Sequence, residues 1–122
     1  MSEIYRSTVT DAGPLATSFL DEGMLVTFGA DAPDELREFC FILAPAQTVA
    51  AIEAGQTLWI DRHAFAITAV GEVAQRNLDA LGHVTIKLDA STEASLAGAI
   101  HVASSNQQPT PAVGSTLVIE AT

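Results

Sequence analysis

Few side chains in this sequence could attack, ligate or shuttle a proton near neutral pH: His63, His83, His101, the single Cys40 and the single Lys87. An imidazole with a free ring nitrogen can act as a nucleophile or a general base, so the histidines come first. They lie far apart in sequence and lack the carboxylate–histidine spacing of a metal site, so no metal is expected. His63, beside Asp61 and Arg62, reads as an exposed turn residue. His83 follows Gly82 at the start of a strand-like run, where a backbone carbonyl can hold its ring. His101 interrupts the apolar run "AIHVA". For His83 and His101, the two candidates, a satisfied structural imidazole competes with a reactive one. Cys40 lies within "FCFIL" and reads as a small core residue; one cysteine also excludes an internal disulfide. A lipoyl or biotinyl arm needs a lysine at a hairpin tip, but the hairpin "WIDRHAF" has none and Lys87 falls inside a strand pattern. No Gly-rich phosphate loop is present, and no cofactor is expected.

The elements that must position these residues belong to a chain of 122 residues, 48% hydrophobic, which suits one domain with a modest core. Five basic residues against fifteen acidic ones give a net charge of −10, which repels a phosphate backbone and argues against nucleic acid. "MSEIYRST" has no signal-peptide character and no apolar run is long enough to cross a bilayer. A cytoplasmic protein without direct membrane insertion is expected. Apolar residues such as Trp59, if exposed, would allow a homodimer.

The sequence repeats itself. "VTDAGPLATSFLDEG" (9–23) and "ITAVGEVAQRNLDALG" (67–82) align with one inserted residue, matching Thr10 with Thr68, Gly13 with Gly71, Ala16 with Ala74, Leu20 with Leu78, Asp21 with Asp79 and Gly23 with Gly82. "FILA" (41–44) then falls on "IHVA" (100–103), and "GQTLWI" (55–60) on "GSTLVI" (114–119). This pattern implies an internal duplication, approximately 1–61 and 62–122, whose halves close on each other. Each half predicts a strand (4–10, 64–70), then a short helix ending at Gly23 or Gly82. Pro14 stands at the first helical position, and Leu15, Ala16, Phe19 and Leu20 form an apolar stripe repeated by Val73, Ala74, Leu78 and Leu81. The strands "MLVTFG" and "HVTIKL" come next. "APDELRE" and "STEASLA" predict single helical turns capped by Asp31 and Ser91, followed by the strands "FCFILA" and "AIHVA" and the closing strands "QTLWI" and "STLVI". "SSNQQPTPAVG" reads as a surface loop. The expected fold is mainly β: a closed or nearly closed barrel built from two duplicated halves, with short helices.

With "EFCFI", "FAITAVGEVAQRNLDALGHVTIKLD", "AIHVA" and "VGSTLVIEA", nearly the whole chain resembles the glucitol/sorbitol-specific IIA component of the bacterial phosphoenolpyruvate-dependent sugar phosphotransferase system (PTS). The resemblance implies a β-rich phosphocarrier that takes a phosphoryl group from the histidine phosphocarrier protein and passes it to membrane sugar transporter subunits. It also implies that the phosphorylated histidine follows "CFI", in an "FIHCH"-like context. This sequence reads "CFILAPA": Leu43 stands at the implied acceptor position and Pro45 where a second histidine is common. Histidines matching His83 and His101 also occur in the family, which implies a shared structural or supporting role. Leucine has no lone pair, so phosphoryl transfer by the family's route lacks its nucleophile. Two readings remain: a relay component with another acceptor, or a silent paralogue acting as a binding or regulatory module. By the repeat, Leu43 corresponds to Val102 and His101 to Ile42, so strand alternation aims His101 away from the face that carries Val102.

Overall fold

Alternating apolar residues build the sheet, and the structure, a computed structural model, describes residues 2–103 and 109–122. Its elements are β1 (Ser2–Ala12), a 3₁₀ helix η1 (Ala16–Glu22), β2 (Met24–Phe28), α1 (Asp34–Arg37), β3 (Phe41–Leu43), β4 (Thr57–Ile60), β5 (His63–Val70), α2 (Ala74–Leu81), β6 (Val84–Lys87), β7 (Ala99–Ala103) and β8 (Thr116–Ala121). The strands close into an eight-membered barrel in the order β1-β3-β2-β6-β7-β5-β4-β8, leaving no free edge. Ile4, Tyr5, Val9, Leu25, Phe41, Leu43, Phe65, Ile67, Ile86, Val102 and Ile119 fill the main core. Ile4 and Tyr5 are both buried although adjacent, because the register with β8 shifts between Glu3 and Tyr5.

The pairing map has a notable property. Exchanging β1 with β5, β2 with β6, β3 with β7 and β4 with β8 leaves the strand order unchanged. The pairs β2/β3 and β6/β7 are parallel, and all other neighbours are antiparallel. A parallel pair requires the chain to cross back over itself before the second strand begins. In the first crossover Gly13 N–H donates to Cys40 C=O at 3.0 Å and Leu15 N–H to Glu38 C=O at 2.8 Å. In the second, Gly71 N–H donates to Ala99 C=O at 2.8 Å and Val73 N–H to Ala97 C=O at 3.0 Å. These contacts bring the chains so close that a Cβ on Gly13 would collide with the carbonyls of Arg37 and Glu38, and one on Gly71 with those of Ala97 and Leu96.

Several local expectations change. The first helix is 3₁₀ and the second is α, with Asn77 N–H reaching Val73 C=O and Gly82 N–H reaching Leu78 C=O. The residue inserted in the second segment accounts for this: seven residues rising about 2.0 Å each cover much the same gap as eight rising about 1.5 Å. Pro14 precedes η1 rather than opening it, and Leu15 and Leu81 leave their stripes, 42% and 48% exposed. Asp31 does not cap α1, whose N-cap residue is Pro33 without a side-chain bond. "STEASLA" forms no helix among the described residues. Thr68 Oγ1 donates to Ser91 C=O at 2.6 Å and Ala90 N–H to Val102 C=O at 3.0 Å, pinning its start to the barrel while Ser91 Oγ turns onto Glu93. The strand expected over "FCFILA" shrinks to Phe41–Leu43, and residues 104–108 of the expected loop lie outside the described residues. Trp59 is half-buried rather than fully exposed, and its Nε1–H donates to Glu120 at 2.6 Å.

Gly13→Ala and Gly71→Ala are each expected to lose about 3 kcal/mol, because backbone must move to admit a methyl group. Gly23→Ala meets no atom within 4 Å and carries only the left-handed φ of 74°, a cost of about 1–2 kcal/mol. Urea unfolding of the three variants checks this ranking, and equal losses would refute the steric account.

Candidate functional site

The segment after β3 has little regular structure, so side chains must hold it. Ala44 N–H donates to Thr8 C=O at 2.9 Å, Ser7 Oγ–H to Ala44 C=O at 2.7 Å and Val49 N–H to Ile4 C=O at 2.9 Å, which keeps the segment beside β1. Helix α2 clamps its other side. Asp79 accepts from Thr48 N–H and Thr48 Oγ1–H, both at 2.7 Å, and one turn earlier Gln75 accepts from Ile52 N–H at 2.9 Å while donating to Thr48 Oγ1 and Ala50 C=O at 2.8 Å. The i,i+4 spacing puts both polar side chains on one face of α2.

Between this clamp and the ends of β2 and β3 lies a cavity of about 290 Å³. Its walls include Tyr5, Phe28, Leu43, Leu78 and Leu81, with Asp31 and Asp79 the charged members; among the described residues no lysine, arginine or histidine lines it. Leu43, at the end of β3, is 2% exposed and belongs to the barrel core as well as to the cavity wall. Tyr5 is equally buried, and its hydroxyl meets no hydrogen-bond partner in good geometry among the described residues. Burial pushes the phenol pKa above its usual value and Asp79 adds to the rise; Ser7, its hydroxyl committed to Ala44, tempers it without completing a bond.

The histidines divide. His63 opens β5 at the β4–β5 hairpin, paired with Ile60 and half-buried rather than fully exposed. His83 lies behind the cavity rim. Its Nδ1 is 3.0 Å from Thr27 C=O, and its ring stacks on Phe28, a wall residue, with centroids 4.5 Å apart. A carbonyl partner requires Nδ1 to carry the proton, which leaves the Nε2 lone pair available. His101 is fully buried on β7, between Ala69 of β5 and Lys87 of β6 in register, and away from the cavity. Its β7 neighbours Ile100 and Val102 both belong to the main core, and period-two alternation puts His101 on the other face of the strand. His101 Nδ1 lies 2.9 Å from Asp89 Oδ1, whereas Nε2 is buried without a partner among the described residues. Desolvation pushes the Asp89 carboxyl up, but the His101 hydrogen bond, the Ser91 N–H and the charges of His101 and Lys87 outweigh it, so the pKa falls below 3.8. Ile42, the counterpart of His101 in the repeat, packs instead with Phe28, Ala32 and buried Cys40, whose thiol pKa burial raises.

Sequence reading missed Tyr5, Thr48, Gln75 and Asp79. Only the Asp79 match to Asp21 hinted at a role, and Asp21 is exposed while Asp79 is the clamp.

A closed eight-stranded barrel of this strand order, with its cavity at the end of β3, defines a class of small β-barrel module. The chain belongs to the PTS system glucitol/sorbitol-specific IIA component family, whose model matches residues 4–118. It is 42% identical over 103 residues to the PTS system glucitol/sorbitol-specific EIIA component of Shigella flexneri, with 84% of each chain covered. The corresponding Escherichia coli (strain K12) component is 41% identical over the same length and coverage. The crystal structure of a PTS system IIA component from Enterococcus faecalis V583 superposes with a TM-score of 0.79 at 27% identity, covering 92% of this chain and 96% of that one.

Asp89→Asn is expected to cost about 1 kcal/mol at neutral pH, since one partner of this hydrogen bond is partly solvated. A depressed folded pKa stabilises above the ordinary carboxylate value and stops doing so as pH falls through the folded value. The variant's acid unfolding curve should therefore be shallower than wild type below about pH 4; parallel curves would show that Asp89 is not coupled to folding.

Proposed function

We propose that this chain keeps the fold and docking role of a glucitol/sorbitol-type IIA component but carries no phosphoryl group at residue 43, and acts as a binding or regulatory module. The observation that carries this reading is Leu43 itself: a buried hydrocarbon at the end of β3, where the family resemblance puts the acceptor imidazole. Among the described residues the cavity beside it offers two carboxylates and no cation to a phosphoryl group, whose transfer depends on charge stabilisation. Its partners in this reading are the histidine phosphocarrier protein and membrane sugar transporter subunits. The same reading takes residues 1–122 as one domain built from a duplicated unit, supported by the aligned segments and by the unchanged pairing map when the halves are exchanged.

A second reading has one observation in its favour. His83 has its Nδ1 tied to Thr27, its ring against a wall of the cavity and its Nε2 uncommitted, the arrangement that an alternative acceptor would need. His101 is a poorer candidate, because its Nε2 is enclosed.

Incubation with phosphoenolpyruvate, the system's first enzyme and the histidine phosphocarrier protein, followed by intact-mass measurement, tests both readings. No acid-labile phosphoryl adduct is expected under conditions that label a family member with histidine at this position. A stoichiometric adduct would overturn the silent reading, and its loss in His83→Asn would establish the second. Leu43→His is expected to gain the label, because strand geometry and neighbouring walls are already in place; a folded Leu43→His that stays unlabelled would mean that the surrounding shell no longer supports transfer.

A further inference from the structure

We propose that the outer face of the first crossover, where Leu15, Phe19, Leu36 and Phe39 meet, docks a partner protein through a basic patch that carries an apolar centre. None of these four residues lines the cavity, so the inference goes beyond the reading above and holds whether or not residue 43 carries a phosphoryl group. Three contacts gather them. Leu15 N–H donates to Glu38 C=O at 2.8 Å, Phe39 N–H donates to Leu36 C=O at 3.0 Å, and the rings of Phe19 and Phe39 meet with centroids 5.6 Å apart. Leu15 and Leu36 stay 42% and 47% exposed, and both phenylalanines are only partly buried. Single exposed leucines are ordinary on a protein surface, whereas aliphatic and aromatic side chains gathered on one face mark a contact site.

The second crossover shows that the barrel does not need this face. By the repeat, Phe19 corresponds to Asn77 and Phe39 to Gly98, and those two residues also lie together: a Cβ on Gly98 would be 3.8 Å from Asn77 Nδ2. The backbone bond from Leu15 to Glu38 is likewise repeated from Val73 to Ala97. The same crossing is therefore closed once with an aromatic pair and once with an amide beside a glycine. Charge differs in the same direction. Glu35 and Glu38 correspond to Ala94 and Ala97, and residues 1–61 hold ten acidic and two basic residues against five and three in residues 62–122. Solubility alone gives no reason to load one half. Asp34, Glu35 and Glu38 surround the apolar centre with no cation paired to them among the described residues, while Arg37 turns to Asp11 and the Ala30 carbonyl. An apolar centre inside an unpaired acidic rim complements lysine and arginine set around an apolar anchor, and it repels nucleic acid and a second copy of this acidic chain alike.

The test uses the full isotope-labelled chain, followed by two-dimensional NMR during separate titrations with two amphipathic helical peptides of identical leucine spacing, one lysine-rich and one glutamate-rich. The lysine-rich peptide should shift the Leu15, Phe19, Leu36 and Phe39 amides saturably, with a Kd on the order of 100 μM, and the glutamate-rich peptide should not. Glu35→Lys combined with Glu38→Lys should weaken binding about 10-fold. Leu36→Ser, which leaves the charge unchanged, should weaken it about 3-fold. Glu72→Lys combined with Glu93→Lys, at exposed acids of the second crossover, changes the net charge equally and should weaken binding less than about 2-fold. Equal weakening by the two charge reversals, an unchanged affinity in Leu36→Ser, or shifts spread over the barrel would overturn the proposal and leave non-specific attraction to an acidic protein. Sedimentation of the chain alone should show a monomer; a dimer that Leu36→Ser dissociates would overturn the proposal in favour of a second copy on this face.

Discussion

Two places where one backbone lies directly on another hold this barrel in its order. Gly13 and Gly71 let the carbonyls of residues 37–38 and 96–97 sit where any side chain would intrude, and the N–H groups on either side of the contact are satisfied across it. Each crossover can then return close to the sheet, so that β3 lies parallel to β2 and β7 parallel to β6. Parallel neighbours need such a crossing and antiparallel ones do not. Closure of the remaining pairs follows, ending with β8 between β1 and β4.

The same crossover geometry was put to different uses in the two halves. Around Ile42 the space under the returning segment is filled with Phe28, Ala32 and Cys40, an apolar satellite of the core. At the matching position on β7 stands His101, and an Asp89 carboxylate arrives to meet it. Hydrocarbon needs no partner to be buried, whereas an imidazole does. The polar solution therefore draws in Asp89, with Lys87 4.0 Å from its other oxygen, and leaves Nε2 without a bond among the described residues.

At the other end of β3, the helix–segment clamp creates the cavity. Gln75 and Asp79 are hydrophilic residues on a short helix, yet they hold a stretch of chain that forms no ladder of its own. Because that stretch is fixed, the space between it and Phe28 stays open, and Leu43 becomes a wall. At residue 43 this chain places a hydrocarbon side chain on that wall.

The strands, their alternation, the Gly ends of the helices and the repeat were legible in the sequence, because period-two burial and left-handed caps are local properties of the chain. The exact match of "AIHVA" to β7 follows from that local logic, as does the placing of His101 on the face of the strand opposite Ile100 and Val102. The absence of a nucleophile at residue 43 was also legible, since it depends only on which atoms leucine has. The helix type of η1, the failure of "STEASLA" to coil and the half-burial of Trp59 were decided by tertiary contacts: a one-residue difference in a fixed gap, anchors from Thr68 and Val102, and a bond to Glu120. The clamp, the buried Tyr5 hydroxyl and the cavity join residues that are dozens of positions apart. No spacing in the chain encodes those meetings; they exist only once the barrel has closed and brought β1, β3 and α2 to one end.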